Sequence, residues 1–502
     1  MSQEPPLRGL RVLEYAQYVA GPFAGMLLAD LGADVIKVEP PAGDAWRRYE
    51  PFADGESRYF YALNRGKRSV VIDLRAPDGR AQSAALIRTA DAVVHNLPPR
   101  RAESFGLDRE SVRRINPDAV WCCVSALGSA GPEAQLTAFD LVAQALSGLL
   151  MANAQGSDSV PRRAGQIAMA DFTAGLLAAL AVLTGLLARE RDRSGGTSNG
   201  AWAPNSSEAS KGGRAPTGSE TATGDGWPTL DVTPTRDVTP TRNGPPTRDG
   251  TPTGNGNPAG EPSRDGNPTG DGAANGGGGA SGFEVSLLGA ALAVQAQRFV
   301  SVEALDRPLR LARLSGRDLA TREDLRRLAD EQRALDELEP YYRAYEASDG
   351  FLVLACLREA QRLAAASVLG LRDPWAANPQ APPADAGERA RRLQLVAEFE
   401  RRIGQGTVRE WVSRFRAVGA PAAEVRLLEQ LFEHEQATAN GHTQTVRRAG
   451  VGDVRLLGSL IKVDGEPAAA TGPIPSLGEH TDEVLSATRD GADAMRSGTW
   501  GD

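Results

Sequence analysis

The sequence predicts an α/β protein: a doubly wound, parallel sheet, then a smaller α+β domain, with a long disordered insertion between them. Three observations carry this. Short β-rich runs alternate with apolar helical stretches as far as Glu190, the pattern of repeated βαβ units. An Asp349-Gly350 turn between two apolar runs marks a later hairpin. Gly and Pro crowd one segment: of 55 Gly and 33 Pro in 502 residues, 20 and 11 fall between Ser194 and Ala280.

Leu10–Tyr15 reads as the first strand and Ala16–Pro22 as a loop. Phe23–Leu31 is helical, with Pro22 suited to its first turn and Gly32 to its end. Ala33–Glu39 is the second strand, which completes a βαβ unit. Strands follow at Ser69–Leu74, Asp91–His95 and Ala119–Ser125, and helices at Ala76–Arg88 and Ser111–Ile115, with a loop at Asn96–Arg101. Asp171–Glu190 is the longest helix; its apolar run, Ala174–Ala188, is shorter than the roughly 20 residues a membrane span needs, so it reads as a core helix.

The next segment carries two copies of Asp-Val-Thr-Pro-Thr-Arg, at Asp231–Arg236 and Asp237–Arg242, and the run Gly276–Gly279. So few large apolar residues cannot offset the entropy of ordering it, and disorder is expected. After it, Ser286–Val300 and Arg317–Leu338 read as helices, Tyr341–Leu357 as the hairpin, and Glu359–Leu369, Gly387–Arg402 and Val408–Val418 as helices. Strands are expected near Val454–Leu457 and Leu460–Val463, and a last helix at Thr481–Ala487.

A net charge of −8 disfavours general nucleic-acid binding. The Met1–Arg8 stretch does not read as a signal peptide, and no membrane association is expected. Cys122, Cys123 and Cys356 do not suggest a disulfide framework, which points to a reducing cytoplasm. His95, His434, His442 and His480 are scattered, so no zinc spacing arises. Lysine is scarce (Lys37, Lys67, Lys211, Lys462), which reads as compositional bias. No GxGxxG follows the first strand, which weakens a dehydrogenase reading. Gln17, Arg75 and Asn96 lie just past strand ends, where open α/β sheets bind ligands.

Several stretches together resemble the class III coenzyme A transferase family, which includes formyl-CoA and carnitine CoA-transferases and α-methylacyl-CoA racemase. They are Gly9–Glu14, Ala20–Pro22 and Leu31–Glu39; Asn64–Asp73 with the Asn96 loop; Phe139–Gly148 and Asp171–Arg189; Pro340–Val353; and Gly419–Ala422 with Leu477–Asp482. The resemblance implies a Rossmann-like large domain built from both chain ends, a small domain, and an interlocked homodimer. The expected layout is 1–193 for the N-terminal part of the CoA-binding domain, 194–281 for the insertion and 282–338 for a helical linker. The small α+β domain would be 339–445, and 446–502 would return to the large domain.

On its own, Asp171 reads as the N-cap of a helix over Phe172–Glu190. The resemblance assigns it the nucleophilic aspartate, with the helix N-terminus keeping it ionised. Acyl-CoA and a carboxylic acid are the implied substrates, with no permanently bound cofactor and no metal. By the same matching, Gln17, Val19, Ala20, Ile72, Arg75, Asn96, Leu97, Arg100, Thr137 and Asp140 line the coenzyme A and substrate site. Taken alone, Arg75 reads as a solvated helix-end arginine and Asn96 as a turn cap.

Pro40 and Ser104 stand where related transferases carry phosphate-binding arginines; Arg47, Arg48, Arg100 and Arg101 are near enough in sequence to compensate. Thr137 and Phe139 replace a lysine and a tyrosine of the formyl-CoA enzyme, and Asp140 a glutamate, which argues against formate and oxalate chemistry. Racemases of the family place a histidine where Phe139 stands, so transfer is favoured over racemisation. A non-catalytic CoA-binding scaffold is the third reading.

Overall fold

The computed structural model describes residues 4–53, 55–136, 138–152, 167–194, 281–302, 304, 306–308, 321–468 and 472–488. The segment expected to be disordered lies, apart from its ends, outside them. Six strands form the central sheet: β1 (Arg11–Tyr15), β2 (Asp34–Glu39), β3 (Arg68–Val71), β4 (Ala92–His95), β5 (Val120–Ser125) and β6 (Gly282–Ser286). Their order is β3-β2-β1-β4-β5-β6 and every neighbouring pair is parallel. The order reverses between β1 and β4, and a doubly wound sheet binds its ligand at such a switch point.

Alternation along the strands divides the core into two layers. Val12, Val35, Val94, Val120 and Cys122 face one layer, with helices α1 (Ala20–Asp30), α6 (Met169–Arg193) and α7 (Leu287–Ala293). Leu13, Tyr15, Ile36, Val38, Val70 and Val93 face the other. Against them pack α2 (Pro77–Arg88), α3 (Pro99–Phe105), α4 (Arg109–Ile115) and the helix over 481–488. That last helix is tied on by hydrogen bonds from β3, Ser69 N–H to His480 Nδ1 and Val71 N–H to Thr481 Oγ1. All eleven residues of α1 are buried, and Gly32, at φ 98°, ends it as glycine can.

By length and composition α6 is apolar enough to cross a membrane. Its sheet-facing side (Ala170, Ala174, Ala178, Val182, Leu186) is buried in the first layer, the position of a core helix. Its other face leaves Leu176, Leu180 and Leu187 exposed. An earlier helix, α5 (Asp140–Leu146), likewise exposes Leu141, Val142 and Leu146.

A second sheet is antiparallel: β7 (Tyr342–Ala347), β8 (Gly350–Ala355) and β9 (Ala422–Glu424), in the order β9-β8-β7. It shares a separate core with helices over Glu359–Val368, Ala386–Ile403 and Val408–Ala417, around Tyr341, Tyr345, Phe399 and Phe415. A further hairpin joins β10 (Thr443–Arg448) to β11 (Gly452–Leu457), and Leu456 packs with Phe60, Tyr61 and Ile474.

Three sequence expectations need correction. The loop at Asn96–Arg101 is partly α3, which starts at Pro99 and stops at Gly106, φ 70°. The apolar stretch from Ser286 is not one helix: Gly282–Ser286 is the edge strand β6, and α7 ends at Ala293. The strands expected near Val454–Leu457 and Leu460–Val463 leave out β10, whose polar Thr-Gln-Thr start carries little strand signal.

Beneath the sheet's C-terminal edge lies a buried ion network. Lys37 Nζ is 2.8 Å from Glu14 Oε1 and 2.9 Å from Asp44 Oδ2, and Lys67 Nζ is 2.7 Å from Glu14 Oε2. All four side chains are shielded from solvent. Burial opposes the charge on Lys37, but Asp44, Glu14 and Glu39 together push its pKa up. Lys67 has less compensation, and burial brings it down to about 8. Glu39, buried beside them, is held low by Arg47, Lys37 and Ser69 against the cost of its burial. Gly25 makes room for the network: a Cβ there would stand 2.0 Å from Glu14 Oε2. Two of the four lysines are thus committed to this network, a structural use that compositional bias does not explain.

Candidate functional site

Two features make up the candidate site. One is a cavity of about 310 Å³ past the C-terminal ends of β1 to β4, lined by Gln17, Ile72, Leu74, Arg75, Leu97 and Arg101 among others. The other is the start of α6, which carries Asp171.

Asp171 is not an N-cap. The helix begins at Met169, Ala168 occupies the cap without a side-chain bond, and Asp171 sits in the first turn. The capping comes from another helix. Asp140, first residue of α5, accepts the backbone N–H of Ala170 at 2.8 Å and of Asp171 at 3.4 Å on Oδ1. Gln144 Nε2 donates to its Oδ2 at 2.6 Å. This is the capping job of an N-terminal Asp or Ser, done from a distance.

The expectation that the helix start keeps Asp171 ionised is corrected as well. Burial first, and the charge of Asp140 second, push its pKa up to about 7. A carboxylate desolvated beside another carboxylate resists ionisation.

Gly175, one turn after Asp171, lets α6 approach the start of α1. A Cβ there would lie 2.7 Å from the carbonyl oxygen of Ala20 and 3.0 Å from the Phe23 ring. α6 therefore crosses α1 backbone to backbone at Ala20, and Asp171, one turn earlier, lies on the same helical face. Rings lock the crossing: Phe23 and Phe172 meet edge to face at 5.0 Å.

The other expected residues divide. Gln17, Ile72, Arg75 and Leu97 come together at the cavity. Arg75 is exposed and forms an ion pair with Asp73, at 2.9 Å, at the cavity rim. Asn96 faces the loop rather than the cavity: its Oδ1 accepts the Gln17 N–H at 3.1 Å and its Nδ2 donates to the Gln17 carbonyl at 2.7 Å. Val19 and Ala20 bury their side chains in the first core layer and present the start of α1. Arg101 lines the cavity and Arg100 does not. Thr137 lies outside the described residues.

Arg47 is not a substitute phosphate ligand. It is buried, forms a two-point pair with Glu39 and packs over Phe60 at 3.6 Å. Arg48 donates to the Ala42 carbonyl. His95, at the end of β4, is buried and neutral, its pKa brought down to about 4 by desolvation. Among the described residues, no group of three His, Cys, Asp or Glu is placed to hold a metal. Cys122, Cys123 and Cys356 are free and buried.

Sequence reading missed Lys37 and Asp44, which hold the loop beside the site. Lys37 donates to the Ala16 carbonyl at 2.9 Å and Asp44 accepts the Tyr18 N–H at 3.3 Å. The available signal was a lysine inside the apolar strand run Asp34–Glu39, which needs buried partners to be tolerated.

Comparison with known proteins fits this architecture. Among solved structures, a CAIB/BAIF family protein from Brucella suis superposes with a TM-score of 0.62 at 24% identity, covering 97% of this chain and 100% of the other. Rv3272 from Mycobacterium tuberculosis gives a TM-score of 0.61 at 23% identity, over 95% and 98%. Both describe the fold. The chain is 41% identical over 202 residues to succinate–glutarate CoA-transferase of Agrobacterium fabrum, covering 39% of this chain and 50% of that protein. It is 36% identical over 191 residues to acetyl-CoA:oxalate CoA-transferase of Acetobacter aceti, covering 38% and 49%. The chain thus spans about half the length of the curated relatives it matches. The model of CoA-transferase family III matches residues 7–202 and 247–481, leaving 203–246, inside the Gly- and Pro-rich segment, unmatched. The chain belongs to CoA-transferase family III.

Proposed function

We propose that the protein moves coenzyme A from an acyl-CoA thioester to a carboxylic acid, with Asp171 as the nucleophile. The observation that carries this is a half-buried carboxylate at the start of α6, in a chain whose doubly wound sheet opens a cavity at its switch point. A carboxylate oxygen of Asp171 attacks the thioester carbonyl, and the carbon–sulfur bond breaks to give a mixed anhydride and CoA thiolate. The thiolate attacks the aspartyl carbonyl, releases the donor's carboxylate and leaves an aspartyl-CoA thioester. The acceptor carboxylate displaces CoA from it, and the thiolate then takes the acceptor's acyl group, freeing Asp171. Each step exchanges one activated acyl bond for another and needs no external oxidant or base.

Several features support the reading. The cavity offers Arg75 and Arg101 at its rim for phosphate groups. Asp140 is the neighbour that acts on Asp171 electrostatically, and Phe139 stands where a racemase of the family has histidine. The protein is read as a homodimer in a reducing cytoplasm, acting on small molecules. Leu141, Val142 and Leu146 on α5 and Leu176, Leu180 and Leu187 on α6 are exposed apolar side chains of the kind that a second copy could cover.

Incubation with acyl-CoA that carries an isotope label in its CoA portion and deuterium at the acyl α-carbon, together with a panel of carboxylic acids, tests the reading. Label should appear in new thioesters without loss of α-deuterium. Loss of α-deuterium without exchange would replace transfer with racemisation, and CoA binding without either would leave a scaffold. The attacking form of Asp171 is the anion, so the single-turnover rate should rise with pH to a plateau through an apparent pKa near 7. Asp140→Asn, which removes the neighbouring charge, should move that midpoint downward. Stability runs the other way. A carboxyl raised from 3.8 to about 7 by folding is held protonated by the native state between those values. Its burial costs stability increasingly as pH rises across that window.

A further inference from the structure

The β1–α1 loop is held in an unfavourable shape by buried charge. Tyr18 has φ 68°, the left-handed region that a bulky side chain avoids. Its ring does not impose this by burial, since it is 41% exposed and meets Trp46 and Phe139 only edge to face. The backbone ties around it do. Lys37 Nζ holds the Ala16 carbonyl at 2.9 Å, Asn96 holds both the N–H and the carbonyl of Gln17, and Asp44 Oδ1 accepts the Tyr18 N–H at 3.3 Å. Asp44 is itself fully buried and fixed. Its Oδ1 also accepts the Trp46 N–H at 3.0 Å, its Oδ2 pairs with Lys37 at 2.9 Å, and its own N–H donates to Glu39 Oε2 at 2.9 Å.

We propose that Asp44, braced by Lys37, is a positioning residue: it keeps Tyr18 left-handed so that Gln17 stays at the wall of the cavity past β1. The inference rests on the cavity being the CoA site. Without the Asp44 acceptor, Tyr18 relaxes toward an extended backbone, its N–H turns away, and Gln17, tied to Asn96 on one side only, leaves the cavity wall. Strain of the size held at such residues corresponds to roughly tenfold in the balance between loop shapes.

The test compares four full-length proteins by calorimetric titration with CoA and by thermal melting: wild type, Asp44→Asn, Asp44→Ala, and Asp44→Ala combined with Tyr18→Gly. Asparagine keeps an acceptor oxygen for Tyr18 and Trp46 and should bind within about threefold of wild type. Asp44→Ala should weaken CoA binding about tenfold. Glycine at 18 adopts positive φ without strain, so the double variant should regain most of that loss while melting no higher than Asp44→Ala. A purely structural role for Asp44 would not be rescued this way. Wild-type affinity in Asp44→Ala, or no recovery in a folded double variant, overturns the proposal. Should Asp44→Ala not fold, Asn96→Ala frees Gln17 from the other side and must weaken CoA binding similarly; unchanged affinity there overturns it too. If wild-type protein does not bind CoA at all, the site reading fails instead.

Discussion

Asp171→Ala is expected to lower the transfer rate by roughly 10⁴-fold or more, because removing a covalent nucleophile removes the path itself rather than easing or hindering it. Affinity for CoA should stay within a few-fold of wild type, since the cavity lining past β1 to β4 does not include Asp171. The fold should also survive. The first turn of α6 is capped by Asp140 through the backbone of Ala170 and Asp171, and a side-chain truncation leaves those bonds in place. At pH 8 the variant should melt at a higher temperature than wild type, because it no longer buries a charged carboxylate. Below pH 4 the difference should vanish, since the wild-type carboxyl is then protonated in folded and unfolded chains alike. Initial rates, calorimetric CoA binding and melting curves over pH check the three parts. Substantial residual transfer with intact binding would remove Asp171 from the mechanism.

The second large effect concerns stability. Lys37→Met should cost about 3–5 kcal/mol, because it strips the shared cation from two fully buried carboxylates, Glu14 and Asp44. Methionine fills the lysine stem's volume, so lost packing is not the cause. Lys67 still reaches Glu14 at 2.7 Å, but Asp44 then has only backbone N–H donors. Equilibrium denaturation of wild type and variant measures the difference, and adding Asp44→Asn should recover part of it, since the neutral amide no longer needs a counter-charge. A loss below about 1 kcal/mol for Lys37→Met would mean that the network is hydrated and weak.

The parallel sheet was legible because its strands announce themselves by composition. Val12, Leu13, Val35, Ile36, Val93, Val94 and Val120 are buried on both sheet faces, so their runs are apolar without interruption. The hairpin of β7 and β8 was legible from Asp349-Gly350, a turn with its own chemistry. Strand β6 was harder to read. Gly282–Ser286 is short, holds Glu284, and owes its place to parallel pairing with β5, a non-local interaction with no trace in local sequence. Helix α3 was hidden by Pro98-Pro99, which reads as a breaker but here precedes and opens the helix.

At the site, Gln17, Ile72, Arg75 and Leu97 were placed by resemblance, and the cavity brings them together. What sequence could not give is how the loop is held. The resemblance puts Asn96 in the coenzyme A site, whereas its two bonds to the Gln17 backbone fit the turn cap that the residue alone suggests. The trans-capping by Asp140 joins residues 30 positions apart. The raised pKa of Asp171 follows from burial, which no single-residue motif encodes.

The central claim is that an acyl-CoA donor passes its CoA through a covalent bond to Asp171. Mass spectrometry of the acid-quenched full-length protein, digested after brief exposure to acyl-CoA without acceptor, tests it most directly. The account predicts a CoA-sized mass increment on the peptide that contains Asp171, discharged by hydroxylamine and absent from Asp171→Ala. No increment on that peptide in a preparation that transfers CoA, or an increment that persists in Asp171→Ala, would contradict it.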